Sequence, residues 1–388
     1  MKYDFDQVVN RRHTCSMKWD IDKAKDPDIL SMWVADMDFT CARPIIDTLA
    51  DKVKEGIFGY PYYGCVEYYD SIIRWYRDRY QWVIGKNDIQ YSRGVVLSII
   101  SCIRAFSKEG NGIIIQPPVY YPFFKVIESN DRLVVENPLV NHEGYYTMDF
   151  DLLEKQAKEE NNTMMILCSP HNPIGRVWRK DELQKVIDIC ERNHVVLVSD
   201  EIHCDLTRKG VTFVPIGNLT DNAVSCISPS KSFNMPGLAM SSVIIKDEML
   251  KQGYIEQAFT KSWLGMANSF GVAGLMTAYT ECDDWLEQVN EYIDGNMIYV
   301  DEFIKQHMPK VTFKIPEGTY LAWLDFRKYQ ISDEKINDLI EKRAKILLDE
   351  GIMFGKSGKG FQRINVACSR SVVMECMRRL REAFESIA

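Results

Sequence analysis

AVSCISPSKSFNMPGL, residues 223–238, joins two kinds of sequence in one short stretch. Positions 223–227 are apolar enough for a strand buried on both faces, whereas 228–238 form a hydroxyl-rich turn broken by Pro-Gly. Lys231 lies in that turn among Ser228, Ser230 and Ser232. A lysine directly after a buried strand is badly placed for the solvated face where most lysines sit. What surrounds it decides between a surface residue and a functional one.

Comparable apolar runs occur at 112–115, 164–168, 195–198 and 242–245, most of them separated by helix-length amphipathic segments such as 180–193. This alternation predicts an α/β fold with a mainly parallel sheet covered on both faces. The chemically mixed segments follow the runs: QPPVYYPF at 116–123, SPHNPIG at 169–175, DEIHCDL at 200–206 and SPSKSF at 228–233. Open α/β sheets bind ligands outside the carboxyl ends of their strands, so these four segments are expected to converge on one cleft. Beyond residue 280 the pattern changes to a long charged helix (283–306), a strand (319–324), a helix (333–350) and a last helix from 371. The expected organisation is a large domain over 46–282 and a smaller α+β domain built from 1–45 and 283–388.

Composition narrows the function. The 388 residues are 46% hydrophobic and 26% charged, with a net charge of −8, which fits a globular protein and disfavours nucleic acid or an anionic membrane as partner. A small-molecule substrate is expected. The start, MKYDFDQVVNRRHT, lacks the basic and apolar regions of a signal peptide, and no run reaches a membrane-spanning length, so a cytoplasmic location is expected. Eleven cysteines without a CxxC pair read as free thiols, with no metal site. GKSGKG at 355–360 resembles part of a phosphate loop, but the glycine required five residues earlier is Glu350.

Lys231, Asp200, Asn172 and the glycine turn SRGVV (92–96) occur in an order that resembles the pyridoxal-phosphate enzymes of fold type I, the aminotransferase class I/II superfamily, over nearly the whole chain. The resemblance implies a seven-stranded sheet in the large domain and pyridoxal 5′-phosphate as cofactor. Lys231 would form the Schiff base with the cofactor aldehyde and act as base at the substrate Cα. Asp200 would keep the pyridine nitrogen protonated, Asn172 and His203 would contact the ring oxygen, and Tyr120 would stack on the ring. Tyr121 is a candidate for proton handling.

The phosphate would rest on the amides of Gly94, Val95 and Val96 at a helix start, with hydroxyls from Ser228 and Ser230. Relatives often carry a phosphate-binding arginine eight residues after the lysine, where this chain has Ala239. Tyr60 or Tyr62, reaching across from a neighbouring subunit, is the expected replacement, which makes the protein a homodimer. Arg363, with Arg370 as competitor, would grip the substrate carboxylate. Trp33 and Asp36 are candidates for substrate contact.

MWVADMDF (32–39), FGYPYYG (58–64), SPHNPIGRVW (169–178) and SDEIHCDL (199–206) together resemble the cystathionine β-lyase and cystalysin type of C–S lyases, the MalY/PatB group. That implies β-elimination from L-cystathionine and related S-conjugates to thiol, pyruvate and ammonia. A true aminotransferase uses the same cofactor motifs, and some relatives add a regulatory role through a protein partner. Both alternatives stay open at the level of sequence.

Overall fold

The computed structural model describes residues 1–264, 266–385 and 387. Seven strands build the central sheet: β1 Ile89–Ser92, β2 Gly112–Ile115, β3 Leu133–Glu136, β4 Asn162–Cys168, β5 Val196–Asp200, β6 Ala223–Ile227 and β7 Ser241–Ile245. Across the sheet they run β1-β7-β6-β5-β4-β2-β3. β7 is antiparallel to both neighbours and the remaining pairs are parallel. The expected mainly parallel, seven-stranded α/β fold is therefore present.

Alternation along the strands sends successive side chains to opposite faces. Ile114, Met165, Leu167 and Leu197 pack on one face with Leu183, Val186 and Ile187 of the helix Lys180–Arg192. Ile113, Ile115, Ile166, Val198 and Val224 pack on the other with Val95, Ile99 and Ile103 of α1, Val95–Phe106. Both faces being covered explains why the central strands read as continuous apolar runs. The two edge strands, β1 (IQYS) and β3 (LVVE), carry polar residues and show no such run.

A second sheet comprises β8 Leu321–Asp325, β9 Asp349–Glu350 and β10 Phe361–Asn365, with β10 central and antiparallel to both. Arg363 on β10 stands opposite Trp323 on one side and Asp349 on the other. The helices expected over 283–306 and from 371 are found as Asp283–His307 and Arg370–Glu385. The helix expected over 333–350 is shorter. Asp333–Asp338 is helical, Leu339–Arg343 widens, and Lys345 turns left-handed at φ 56°. The chain then becomes extended: Ile346 and Leu347 pair in parallel with Leu30 and Ser31. Pairing with a strand more than 300 positions away overrides local helix propensity there. Among the described residues no helix is long and apolar enough to cross a membrane.

The same N-terminal segment is fixed by buried charge. Lys18, fully buried, donates to Asp38 at 2.7 Å, and Arg11 donates to Asp38 at 2.7 Å and to both oxygens of Asp36 at 2.9 and 2.7 Å. Burial works against the Asp38 carboxylate, but Lys18, Trp19 and Arg11 outweigh it and hold its pKa below the usual aspartate value. A carboxylate with a depressed folded-state pKa stabilises the fold above its unfolded-state pKa and loses that contribution as the pH falls through the folded value. Replacing one partner of a buried pair strands the other. Lys18→Met is accordingly expected to lower the unfolding free energy by about 3 kcal/mol in denaturant titrations near neutral pH; a change below about 0.5 kcal/mol, the surface-substitution range, would contradict the network's role.

Candidate active site

The carboxyl ends of β4, β5 and β6 open onto a cavity of about 310 Å³. Gly94, Val95, Val96, Tyr120, Asn172, Asp200, His203, Ser230 and Lys231 all line it, so nine positions chosen from sequence meet at one place, and Ala239, where relatives often carry an arginine, lines it too. Each arrives by a strand ending: Asp200 is the last residue of β5, and Lys231 lies four residues past the end of β6. Asn172 follows β4 in a turn whose Ser169-Pro170 and Asn172-Pro173 peptides are cis.

Burial governs the electrostatics. Lys231 is half-buried, and desolvation followed by the nearby Arg363 charge brings its pKa down to about 8, against opposing pulls from Asp36 and Asp200. Its Nζ donates to the Ala35 carbonyl at 2.5 Å, and the Tyr320 hydroxyl donates to the same oxygen at 2.8 Å. Asp200 is pushed up to about 7 by burial, partly offset by the Ile202 amide at 3.2 Å and by the Lys231 charge. His203 is buried, its pKa is driven well below the usual histidine value by desolvation, and among the described residues its Nδ1 has no hydrogen-bond partner. A neutral imidazole and an unpaired carboxylate facing one cavity leave polar capacity for a ligand.

The phosphate-sized end of the cavity is the start of α1. Gly94 caps that helix at φ 152°, and a Cβ built there would meet nothing within 4 Å. The first-turn N–H groups have no intrahelical partner, so they present donors and the positive end of the helix dipole. Ser230 lines this region, whereas Ser228 does not. The Ser228 hydroxyl is committed to the fold, donating to the Met240 carbonyl at 2.6 Å and accepting from the Ser230 amide at 3.1 Å.

The remaining expected residues fall around the cavity or away from it. Buried Arg363 reaches Asn172 Oδ1 with Nη1 at 3.0 Å and the Trp33 carbonyl with Nη2 at 2.9 Å. Trp33 thus meets the site through its backbone. Arg370 is elsewhere, donating from Nε to Asn296 at 2.6 Å. Asp36 does not offer a free carboxylate, because Arg11 holds both of its oxygens. Tyr121 is half-buried between Tyr120 and Phe354, at ring distances of 5.6 and 5.5 Å. Tyr60 is 89% exposed and touches none of this in the single chain.

Several site residues are not singled out by the motifs, although Ala35 lies within MWVADMDF. Ala35 and Cys168 line the cavity, and Tyr320 shares the Ala35 carbonyl with Lys231. Ala35 contributes only its backbone, which no side-chain pattern announces. Arg93 also lines the cavity, within the SRGVV turn already singled out for its glycine.

Comparison with known proteins agrees with this geometry. The family model for aminotransferase class I and II matches residues 28–380. Cystathionine beta-lyase PatB of Bacillus subtilis (strain 168) is 36% identical over 388 residues, which is 98% of this chain and 99% of that one. A crystal structure of cystalysin from Treponema denticola, which contains a pyridoxal 5′-phosphate cofactor, superposes with a TM-score of 0.96 at 36% identity over 100% of both chains. The pyridoxal-phosphate-bound C-S lyase from Staphylococcus hominis gives a TM-score of 0.93 at 33% identity, covering 99% of this chain and 98% of that one. With matches running essentially from end to end, the chain belongs to the aminotransferase class I and II family.

Proposed function

We propose that this protein is a pyridoxal-phosphate-dependent C–S β-lyase acting on L-cystathionine and related cysteine S-conjugates to give a thiol, pyruvate and ammonia. The observation that carries the proposal is the shared cavity of Lys231, Asp200 and the open start of α1, which matches an aldehyde, a ring nitrogen and a phosphate in one ligand. Resemblance to proteins named as cystathionine β-lyase, cystalysin and C-S lyase supports the choice of reaction within the family.

Bound pyridoxal phosphate supplies an aldehyde that captures amines and a ring that accepts the electron pair left at Cα. Lys231 is the residue that would hold it and, with its amine freed, would serve as base at the substrate Cα. A pKa brought down to about 8 leaves part of its amine neutral near physiological pH, as a base must be. The Ala35 carbonyl holds that amine in place. Asp200 would meet the ring nitrogen and gain its counter-charge there. Asn172 and His203 would address the ring oxygen, and Tyr120 would cover the ring face. The amides of Gly94, Val95 and Val96, with Ser230, hold the phosphate. Arg363 takes the substrate α-carboxylate, and Tyr121 borders the substrate side.

Apart from Arg363 and the Ala35 carbonyl, the body that holds these groups is residues 46–282, closed over by 1–45 and 283–388. Ile57, Phe58, Tyr60 and Tyr62 are between 65% and 89% exposed in one short stretch, a concentration of apolar surface that a monomer rarely carries. Their exposure supports a homodimer in which Tyr60 reaches the phosphate of the partner site, where Ala239 offers nothing.

Two measurements check this reading. With L-cystathionine as sole substrate, pyruvate, ammonia and homocysteine are expected to appear in equal and sustained amounts; loss of cofactor colour without turnover, restored by an added keto acid, would assign an aminotransferase instead. The pKa of Lys231 sets the second. Covalent capture needs the neutral amine, so the rate at which apoprotein takes up added pyridoxal phosphate should rise with pH and level off above about 8. A rate still climbing toward pH 10 would mean an ordinary, solvated lysine.

A further inference from the structure

Arg363 is only 2% exposed, and so is the carboxylate beside it, Asp349. The two stand opposite one another on β10 and β9, so the backbone register itself sets their approach. Among the described residues Asp349 is the only acid in ion-pair contact with this guanidinium, which also lies over the Phe354 ring at 5.0 Å. Of the five guanidinium N–H groups, Nη1 serves Asn172, Nη2 serves the Trp33 carbonyl and Asp349, and the buried Nε–H has no partner. The arginine therefore keeps a free donor while its charge is already matched.

This arrangement has an electrostatic consequence. A buried guanidinium with no anion would be costly in the empty site, and Asp349 offsets that cost. When a ligand carboxylate arrives, two anions share one cation in a dry environment, and their repulsion subtracts from the ligand's affinity. We propose that Asp349 is a resident counter-ion of Arg363, a positioning residue that holds the guanidinium in its pose and weakens the site's grip on α-carboxylates. Substrate and the carboxylate product then bind loosely enough to exchange. The inference rests on Arg363 being the α-carboxylate group of the proposed reaction.

The test is ligand binding to the holoenzyme, read from the change in visible absorbance. L-Alanine carries the α-carboxylate but no β-leaving group, and ethylamine is the same skeleton without the carboxylate. Asp349→Asn keeps a polar side chain of the same shape and removes the charge; it should tighten L-alanine binding about fivefold, the order expected for losing one nearby like charge, and leave ethylamine unchanged. Asp349→Glu, which restores a carboxylate, should return L-alanine affinity toward that of the wild type. Unchanged or weaker L-alanine binding in Asp349→Asn, or equal shifts for both ligands, would overturn the counter-ion role. Should that variant fail to fold, Asp349→Ser is held to the same outcomes. Arg363→Ala measured alongside should weaken L-alanine binding selectively; no change there would overturn the carboxylate placement itself, and the role of Asp349 with it. None of these readouts requires lyase turnover.

Discussion

Desolvation of Lys231 is the constraint on which the site depends. A half-buried ammonium whose hydration is curtailed is costly, and among the described residues no acid lies in ion-pair contact with it. Asp200 is buried, and that burial raises its carboxyl to about 7 against the smaller opposing effects of the Ile202 amide and the Lys231 charge. Were the two joined in a direct ion pair, each would be satisfied and neither would be available. Holding them on neighbouring strand ends, with only a carbonyl for the amine and an amide for the carboxylate, leaves both ready for a ligand that supplies what each lacks. The rigidity needed for this comes from a sheet packed on both faces, whose core clusters run directly beneath the cavity.

The segment at 33–36 links that constraint to the rest of the chain. Its four successive carbonyls are taken in turn: Trp33 by Arg363, Val34 by Asn365, Ala35 by Lys231 and Tyr320, and Asp36 by Asn365. The side chains of Lys18 and Arg11 secure the same segment from behind through Asp36 and Asp38. One bent strap, tightened by the Asp36 amide donating to the Val34 carbonyl at 2.9 Å, therefore orients the lysine and the arginine together, through backbone rather than side chains. A substitution at Lys18 or Arg11, remote from the cavity, acts on the site by way of this strap.

Much of this was legible before any coordinates, and the reasons are physical. The central strands announce themselves because both faces are covered, and Lys231, Asp200 and Asn172 follow directly after them. Edge strand β1 (IQYS) gives no continuous apolar signal although three of its four residues are buried, and β3 (LVVE) has only a three-residue apolar run on partly exposed residues. The break in the expected helix over 333–350 depends on Ile346 and Leu347 pairing with Leu30 and Ser31, which no local pattern encodes. Asp36 and Ser228 looked like ligand contacts, but Arg11 and the Met240 carbonyl claim them first. No local pattern marks Asp349, because its meaning lies wholly in what it faces across the sheet.

The central claim is that Lys231, and no other lysine, carries the cofactor. Reducing the holoenzyme with borohydride fixes the imine as a stable amine, and peptide mass mapping then locates the added group. The account predicts one modified peptide, with the label on Lys231 within SPSKSFNMPGL. Label on a different lysine, or cofactor that binds without any covalent label, would contradict it.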